Sequence, residues 1–296
     1  MTVNKLQIGA VGTFSVEIPY LEVGSGFPKG LITAVQHGGE WSPLWIIKEL
    51  LKTPPQTGTM TIIPIANPFG FVFGQRNEVI EGKDPNRQYP GRADGDFSAR
   101  IADTIFSMAK TSDFVIDLHT FSRQAPFLAG YAQNEKADRY TVEKMIQLLQ
   151  PDVVWAVDEK KGEDRRFNGS FDGALAREGI PSVFIEMPNY QMISDGLIAR
   201  IATGVRNIFE GFQAPLGQSK EIKRFSAKYL YADDAGIFDP LVKPLETVVA
   251  GQQIGTVSCF PTFEAKKVIT PITGTLLTIK GKDVIRTGTK LGSIGV

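Results

Sequence analysis

Two histidines supply all the imidazole in this chain, and each has a carboxylate within three positions. His37 stands in Gln36-His37-Gly38-Gly39-Glu40, and His119 ends Val115-Ile116-Asp117-Leu118-His119. Catalytic zinc usually takes three protein ligands from His, Asp or Glu and keeps a fourth position for water. His37, Glu40 and His119 make such a set, for one zinc per chain. Asp117 could accept a hydrogen bond from a ligating imidazole and orient it, or cap the following turn. Either histidine alone would more often be a core or surface residue. The ligand spacing of His37 and Glu40, with no other imidazole available, favours a metal.

The elements around these residues must bring three distant points together. The apolar run Gly30 to Val35 reads as a buried strand, and Trp41 to Lys52 as an amphipathic helix. His37 and Glu40 therefore fall at a strand-to-helix turn, and His119 closes a second apolar run, Phe114 to Leu118. Strand ends along one edge of an open α/β sheet are where such folds place their sites. Further strands are expected at Phe14 to Val23, Met60 to Ala66, Phe127 to Tyr131, Val153 to Val157 and Val183 to Met187. Helices are expected at Asp96 to Lys110, Lys136 to Leu149, Gly169 to Glu178 and Ile193 to Phe212. This alternation implies an α/β domain with a largely parallel sheet. Pro68 to Gly95, rich in Gly, Pro, Asn and charge, reads as a long functional loop. Beyond the linker-like Gln213 to Ser219, short β-type runs punctuated by Gly and Pro suggest a small all-β barrel or sandwich. The expected division is 1–215 and 216–296.

With 296 residues and 42% hydrophobic content, the chain can bury one substantial core and a second small one. Lys+Arg and Asp+Glu balance at 32 each, so no overall field recruits nucleic acid or an anionic membrane. The start, Met1 to Lys5, lacks a signal pattern, and no apolar run approaches bilayer length, so a cytoplasmic protein is expected. Cys259 is the one cysteine, which excludes an internal disulfide, and no histidine is left over to activate it as a nucleophile. A homo-oligomer is left open.

Four motifs in order, His37-Gly38-Gly39-Glu40, Asp84-Pro85-Asn86-Arg87 with Tyr89-Pro90-Gly91, Asp117-Leu118-His119-Thr120 and Phe184-Ile185-Glu186-Met187, resemble the succinylglutamate desuccinylase/aspartoacylase family. These are zinc carboxypeptidase-like hydrolases. The resemblance implies a mixed, mainly parallel sheet flanked by helices, with a small C-terminal all-β domain. It implies zinc on His37, Glu40 and His119, and Glu186 as the carboxylate that takes a proton from water and passes it to the leaving amine. It implies Arg76 as the group polarising the scissile carbonyl, and Asn86 with Arg87 as the grip on a substrate carboxylate. Outside this context, Glu186 would read as a salt-bridged strand end and the arginines as solvated or ion-paired.

One position departs. Family members often carry an arginine for a second acidic group in the segment Gly169 to Gly173, where this chain has Asp172. An acid there repels a succinyl- or aspartyl-type carboxylate. Arg165 or Arg166 could compensate, or Asp172 could recognise an amino group, or simply serve as a helix N-terminal acid. Glu264-Ala265-Lys266-Lys267 distantly resembles a biotinyl/lipoyl carrier hairpin, but the methionines that usually flank a biotinylated lysine are missing. The expected activity is zinc-dependent deacylation of a small N-acylated amino acid or amine. A carboxypeptidase acting on short peptides and an inactive ligand-binding protein are the alternatives.

Overall fold

Strands buried on both faces read as continuous apolar runs, and three of them form the centre of this fold. The computed structural model describes residues 1–122, 124–158, 160, 162–215 and 222–296. The elements up to the linker are β1 (Thr2–Val11), β2 (Phe14–Ser25), β3 (Lys29–Ala34), α1 (Pro43–Lys52), β4 (Gly58–Ile63), α2 (Pro68–Phe73) and α3 (Phe97–Ala109). There follow β5 (Phe114–Ser122), β6 (Leu128–Ala132), α4 (Arg139–Leu149), β7 (Val153–Val157), α5 (Phe171–Arg177), β8 (Ser182–Pro188) and α6 (Asp195–Gly211). A short β9 (Arg224–Phe225) comes after the linker.

Among the described residues, nine strands form one sheet in the order β1-β2-β4-β3-β5-β8-β6-β7-β9. The pairs β4–β3, β3–β5, β5–β8, β6–β7 and β7–β9 are parallel, while β1–β2, β2–β4 and β6–β8 are antiparallel. Adjacent residues of β3 serve opposite faces. Ile32 packs with α1, α4 and α6 through Ile46, Met145 and Val205, whereas Leu31 packs with α3 and α5 through Ile105 and Leu175. The mainly parallel sheet with helices on both faces agrees with the expectation.

The seven expected strands and five expected helices all form, with ends shifted by a few residues. Besides short 3-10 turns at Pro85–Arg87 and Gly162–Phe167, three elements of the large sheet and its helices were not anticipated. β1 is largely exposed and owes its strand geometry to pairing with β2 along its length. α2 lies inside the stretch expected to be loop; Asn67 caps its start by accepting from Gly70 N at 2.8 Å, and Gly74 ends it at φ 61°. β9 extends the large sheet beyond β7.

The tail contains β10 (Ala227–Tyr231), β11 (Gly236–Pro240), β12 (Thr247–Val248), β13 (Gln253–Cys259), β14 (Glu264–Ile269), β15 (Gly274–Ile279), β16 (Asp283–Ile285) and β17 (Lys290–Gly295). They form two antiparallel sheets, β10-β17-β15-β12 and β14-β13-β11-β16. Leu276 and Ile294 from one and Phe238 and Val257 from the other share a core, so the tail is a β-sandwich. Lys266 is on exposed β14 in an ion pair with Asp234 at 2.6 Å. Leu216 to Ser219 of the expected linker, and with them the 215/216 division, lie outside the described residues. No helix among the described residues is long and apolar enough to cross a membrane.

Candidate active site

β3 ends at Ala34, and the chain turns through Gly38 and Gly39 into α1. A side chain on Gly38 would run into the backbone of Gly70 and Phe71 in α2, so the turn carrying His37 lies directly on that helix. Glu40 N donates to His37 O at 2.9 Å, closing a turn that puts both side chains on one side. Ser42 Oγ donates to Pro188 O at 2.7 Å and fastens the start of α1 to the end of β8. On β5, the parallel register aligns His119 with Glu186 of β8.

The donor atoms of His37, Glu40 and His119 all lie within 4.8 Å of one another. Each imidazole turns Nδ1 toward Glu40, at 2.8 Å from Oε1 for His37 and 2.9 Å from Oε2 for His119. Each turns Nε2 toward another carboxylate, Asp84 at 3.1 Å and Asp117 at 2.7 Å. Asp117 is fully buried and accepts from Thr33 Oγ1 at 2.6 Å and Gln36 Nε2 at 2.7 Å. A carboxylate that accepts Nε2–H leaves Nδ1 as the ligating nitrogen, the usual arrangement around a metal-binding histidine. The donor set therefore fits a small divalent cation.

Charge is tightly coupled here. Burial by itself would lower both histidines, but Glu40 and Asp84 raise His37, and Asp117 and Glu40 raise His119 well above the usual imidazole range. Burial opposes ionisation of Glu40, Asp84 and Asp117, yet the facing imidazoles hold all three below the ordinary carboxylate range, helped at Asp84 by Arg76 and Arg87. Glu186 goes the other way: burial, with Glu40 nearby, pushes it up to about 7 against the pull of His119, Lys290 and His37. Its Oε2 is buried without a hydrogen-bond partner.

His37, Glu40, Arg76, Asn86, Arg87, His119, Asp172 and Glu186 all line a single cavity of about 280 Å³. Arg76 is half-exposed; Nε and Nη2 donate to Asp84 Oδ2 at 3.1 and 2.9 Å, and Nη1 is 3.7 Å from Glu40. Asn86 approaches His119 Nε2 at 3.4 Å, and its Oδ1 accepts from Phe171 N at 2.7 Å. The Arg87 guanidinium donates to Asn86 O and lies 5.1 Å from the Phe167 ring. Of the two arginines considered as compensation for Asp172, Arg166 lines the cavity; Arg165 is exposed and donates to Lys160 O. Among the aromatics near the motifs, Phe121 lines the cavity. Trp41 and Trp45 pack instead against Tyr190.

Sequence reasoning missed three contributors. Asp84 opens a motif already singled out, but nothing local shows that it reaches His37. Trp155 looks like an ordinary core residue of β7, and it forms a cavity wall with Phe167 and Phe184. Lys290 reaches the cavity from β17, with Nζ 4.0 Å from the Phe121 ring and 4.4 Å from that of Tyr229.

Comparison with known proteins agrees with this architecture. A deacetylase of N-alpha-acetyl-L-2,4-diaminobutyric acid from Halomonas elongata is 29% identical over 133 residues, 43% of this chain and 39% of the relative. The matched stretch thus spans about two-fifths of that relative's length. A Silicibacter succinylglutamate desuccinylase structure superposes with TM-score 0.80 and 23% identity, covering 99% of this chain and 94% of that one. The product-bound ectoine utilization protein EutE (DoeB) from Ruegeria pomeroyi gives TM-score 0.83 at 21% identity, covering 99% and 95%. An aspartoacylase family protein from Mesorhizobium loti gives 0.76 at 22%, covering 100% and 95%. The profile of the succinylglutamate desuccinylase/aspartoacylase catalytic domain matches residues 27–211, and the chain belongs to that family of deacylating amidohydrolases.

Proposed function

We propose that this protein is a zinc-dependent deacylase that hydrolyses the amide bond of a small N-acylated amino acid. The observation that carries this is the meeting of the three metal-type donors with Glu186, Arg76, Asn86 and Arg87 around one cavity. Zinc held by His37, Glu40 and His119 would supply a Lewis acid for the carbonyl and a water whose pKa is near 7.

The chain's own groups do the rest. Asn86 and Arg87 take the substrate carboxylate, the planar guanidinium matching its two oxygens. Arg76, steadied by Asp84, faces the acyl oxygen and stabilises the negative charge that develops there. Glu186 removes a proton from the attacking water. As the C–N bond breaks, it returns that proton to the leaving nitrogen, so acid is released with an amine. Burial makes this carboxyl more basic than an exposed one, which suits a group that must both take and return a proton.

A reading toward small amides rather than peptides is supported by Lys290, a side chain from the β-sandwich that lines the cavity. A passive binding protein would gain nothing from a buried carboxylate beside the donor set. Within this reading the protein is cytoplasmic and has one zinc per chain.

The test is metal analysis of protein purified without chelator, combined with an assay of N-acetyl amino acids. About one zinc per chain and release of acetate are expected. Zinc-loaded protein that cleaves dipeptides but no N-acetyl amino acid would assign the site to peptides instead.

A further inference from the structure

Lys290 is not the β-sandwich's sole contribution to the site. Resting on the deacylase reading, we infer that Tyr229 of β10 is a positioning residue for recognition of the substrate carboxylate, because its ring fixes the cations that stand beside the Asn86 and Arg87 grip.

Cations and rings alternate along one side of the cavity. Arg87 and Arg166 share the Phe167 ring, with Cζ 5.1 and 5.4 Å from its centroid. Arg166 and Lys290 share the Tyr229 ring, with Cζ at 3.2 Å and Nζ at 4.4 Å. Lys290 ends the series 4.0 Å from the centroid of Phe121. The three cations come from separate parts of the chain, and all three line the cavity. Like charges gathered this closely repel one another, and the negative face of a ring shared by each pair offsets that repulsion.

Tyr229 is the central ring of the three and the one that comes from the β-sandwich. It is buried, and the rings of Phe121, Phe167 and Tyr229 all pack on Trp155, with centroids 6.1, 5.3 and 6.1 Å away. This common backing sets the spacing of the rings and hence of the cations. The Tyr229 hydroxyl is buried with no hydrogen-bond partner among the described residues, whereas Arg166 Nη1 donates to the hydroxyl of Tyr231. Tyr229 therefore acts through its ring face and not through its oxygen. A guanidinium already held in place loses little freedom when a carboxylate arrives. Arg166, fixed beside Arg87, thus favours an acid over the neutral amide of the same shape.

The experiment uses zinc-loaded protein with N-acetylalanine and its carboxamide, which differ in that one charge. Wild type should prefer the acid in kcat/KM, and the Glu186→Gln background, where turnover is slow, should prefer it in calorimetric binding. Tyr229→Leu should raise KM for the acid about tenfold while kcat stays within about threefold, which lowers the acid-to-carboxamide ratio. Tyr229→Phe keeps the ring and should match wild type. Arg166→Gln removes the cation and should lower the ratio as Tyr229→Leu does. Val248→Ala, in the sandwich core and outside the cavity lining, should lose stability and keep the ratio. An unchanged ratio in Tyr229→Leu overturns the inference, as does one in Arg166→Gln should the leucine variant fail to fold. An equal drop in Tyr229→Phe or in Val248→Ala, or no binding preference for the acid, also overturns it. A binding preference that Tyr229→Leu abolishes, without turnover of the acid by wild type, keeps the positioning role and removes the deacylase reading.

Discussion

Each imidazole of the site lies between two carboxylates, an arrangement that binds protons when it does not bind metal. His37 and His119 have folded pKa values above the ordinary imidazole value of about 6.5. Their contribution to the stability of metal-free protein is therefore full below about pH 6.5 and lost as pH rises through the folded values. Zinc must displace those protons, so its affinity should increase with pH, by up to about tenfold per unit for each proton released. Calorimetric titration at about pH 6 and about pH 8 checks this; equal affinities would contradict it. Asp84→Asn and Asp117→Asn should weaken zinc binding about 10- to 100-fold each, measured by competition with a chelator. Glu186→Gln should keep the metal and lower kcat about 10²- to 10⁴-fold; a variant with normal kcat would remove Glu186 from proton transfer.

At the scale of elements, the site depends on parallel register and on one tight turn. A slip of one residue between β5 and β8 would take Glu186 out of line with His119 and reverse every side chain on the strand. Gly38 is the sensitive position in the turn, since any side chain there meets the α2 backbone. Gly38→Ala should destabilise the fold by about 1–3 kcal/mol and reduce zinc content, as urea unfolding and metal analysis would show. The elements missed in the sequence have identifiable causes. β1 sets only Leu6 and Ile8 against the core, too short an apolar alternation to mark a strand in the sequence. α2 has Gly and Pro within it, although Asn67 followed by Pro68 was a readable helix start.

At the scale of the molecule, the β-sandwich is packed onto the site rather than tethered beside it. Ala227, Tyr229 and Leu277 from the tail join Leu128, Val153, Trp155, Val157 and Phe184 in one apolar cluster. Trp155 and Phe184 thus belong at once to the cavity wall and to the interface. Leu277→Ala, outside the cavity lining, should cost about 2–5 kcal/mol and lower kcat/KM by loosening that wall. Unfolding by denaturant and steady-state assay measure the two effects, and a loss of stability with unchanged kcat/KM would separate the interface from the site. We propose that the chain divides at 215/216, with the tail dependent on this cluster for its position. Limited proteolysis should release the 1–215 fragment first if the division is right.

The sequence by itself determined the donor set and the strands and helix that bear it, because ligand chemistry and hydrophobic periodicity are properties of short segments. Hence His37, Glu40 and His119 could be named together, and the sheet class followed from alternating strands and helices. The tertiary structure decided which groups stand behind and around those donors: Asp84 on His37, Arg166 rather than Arg165 at the cavity, Trp155 as a wall and Lys290 from the final strand. Such contacts join residues far apart in the chain, and only the packing of the sheet, its loops and the β-sandwich brings them within hydrogen-bonding or van der Waals range.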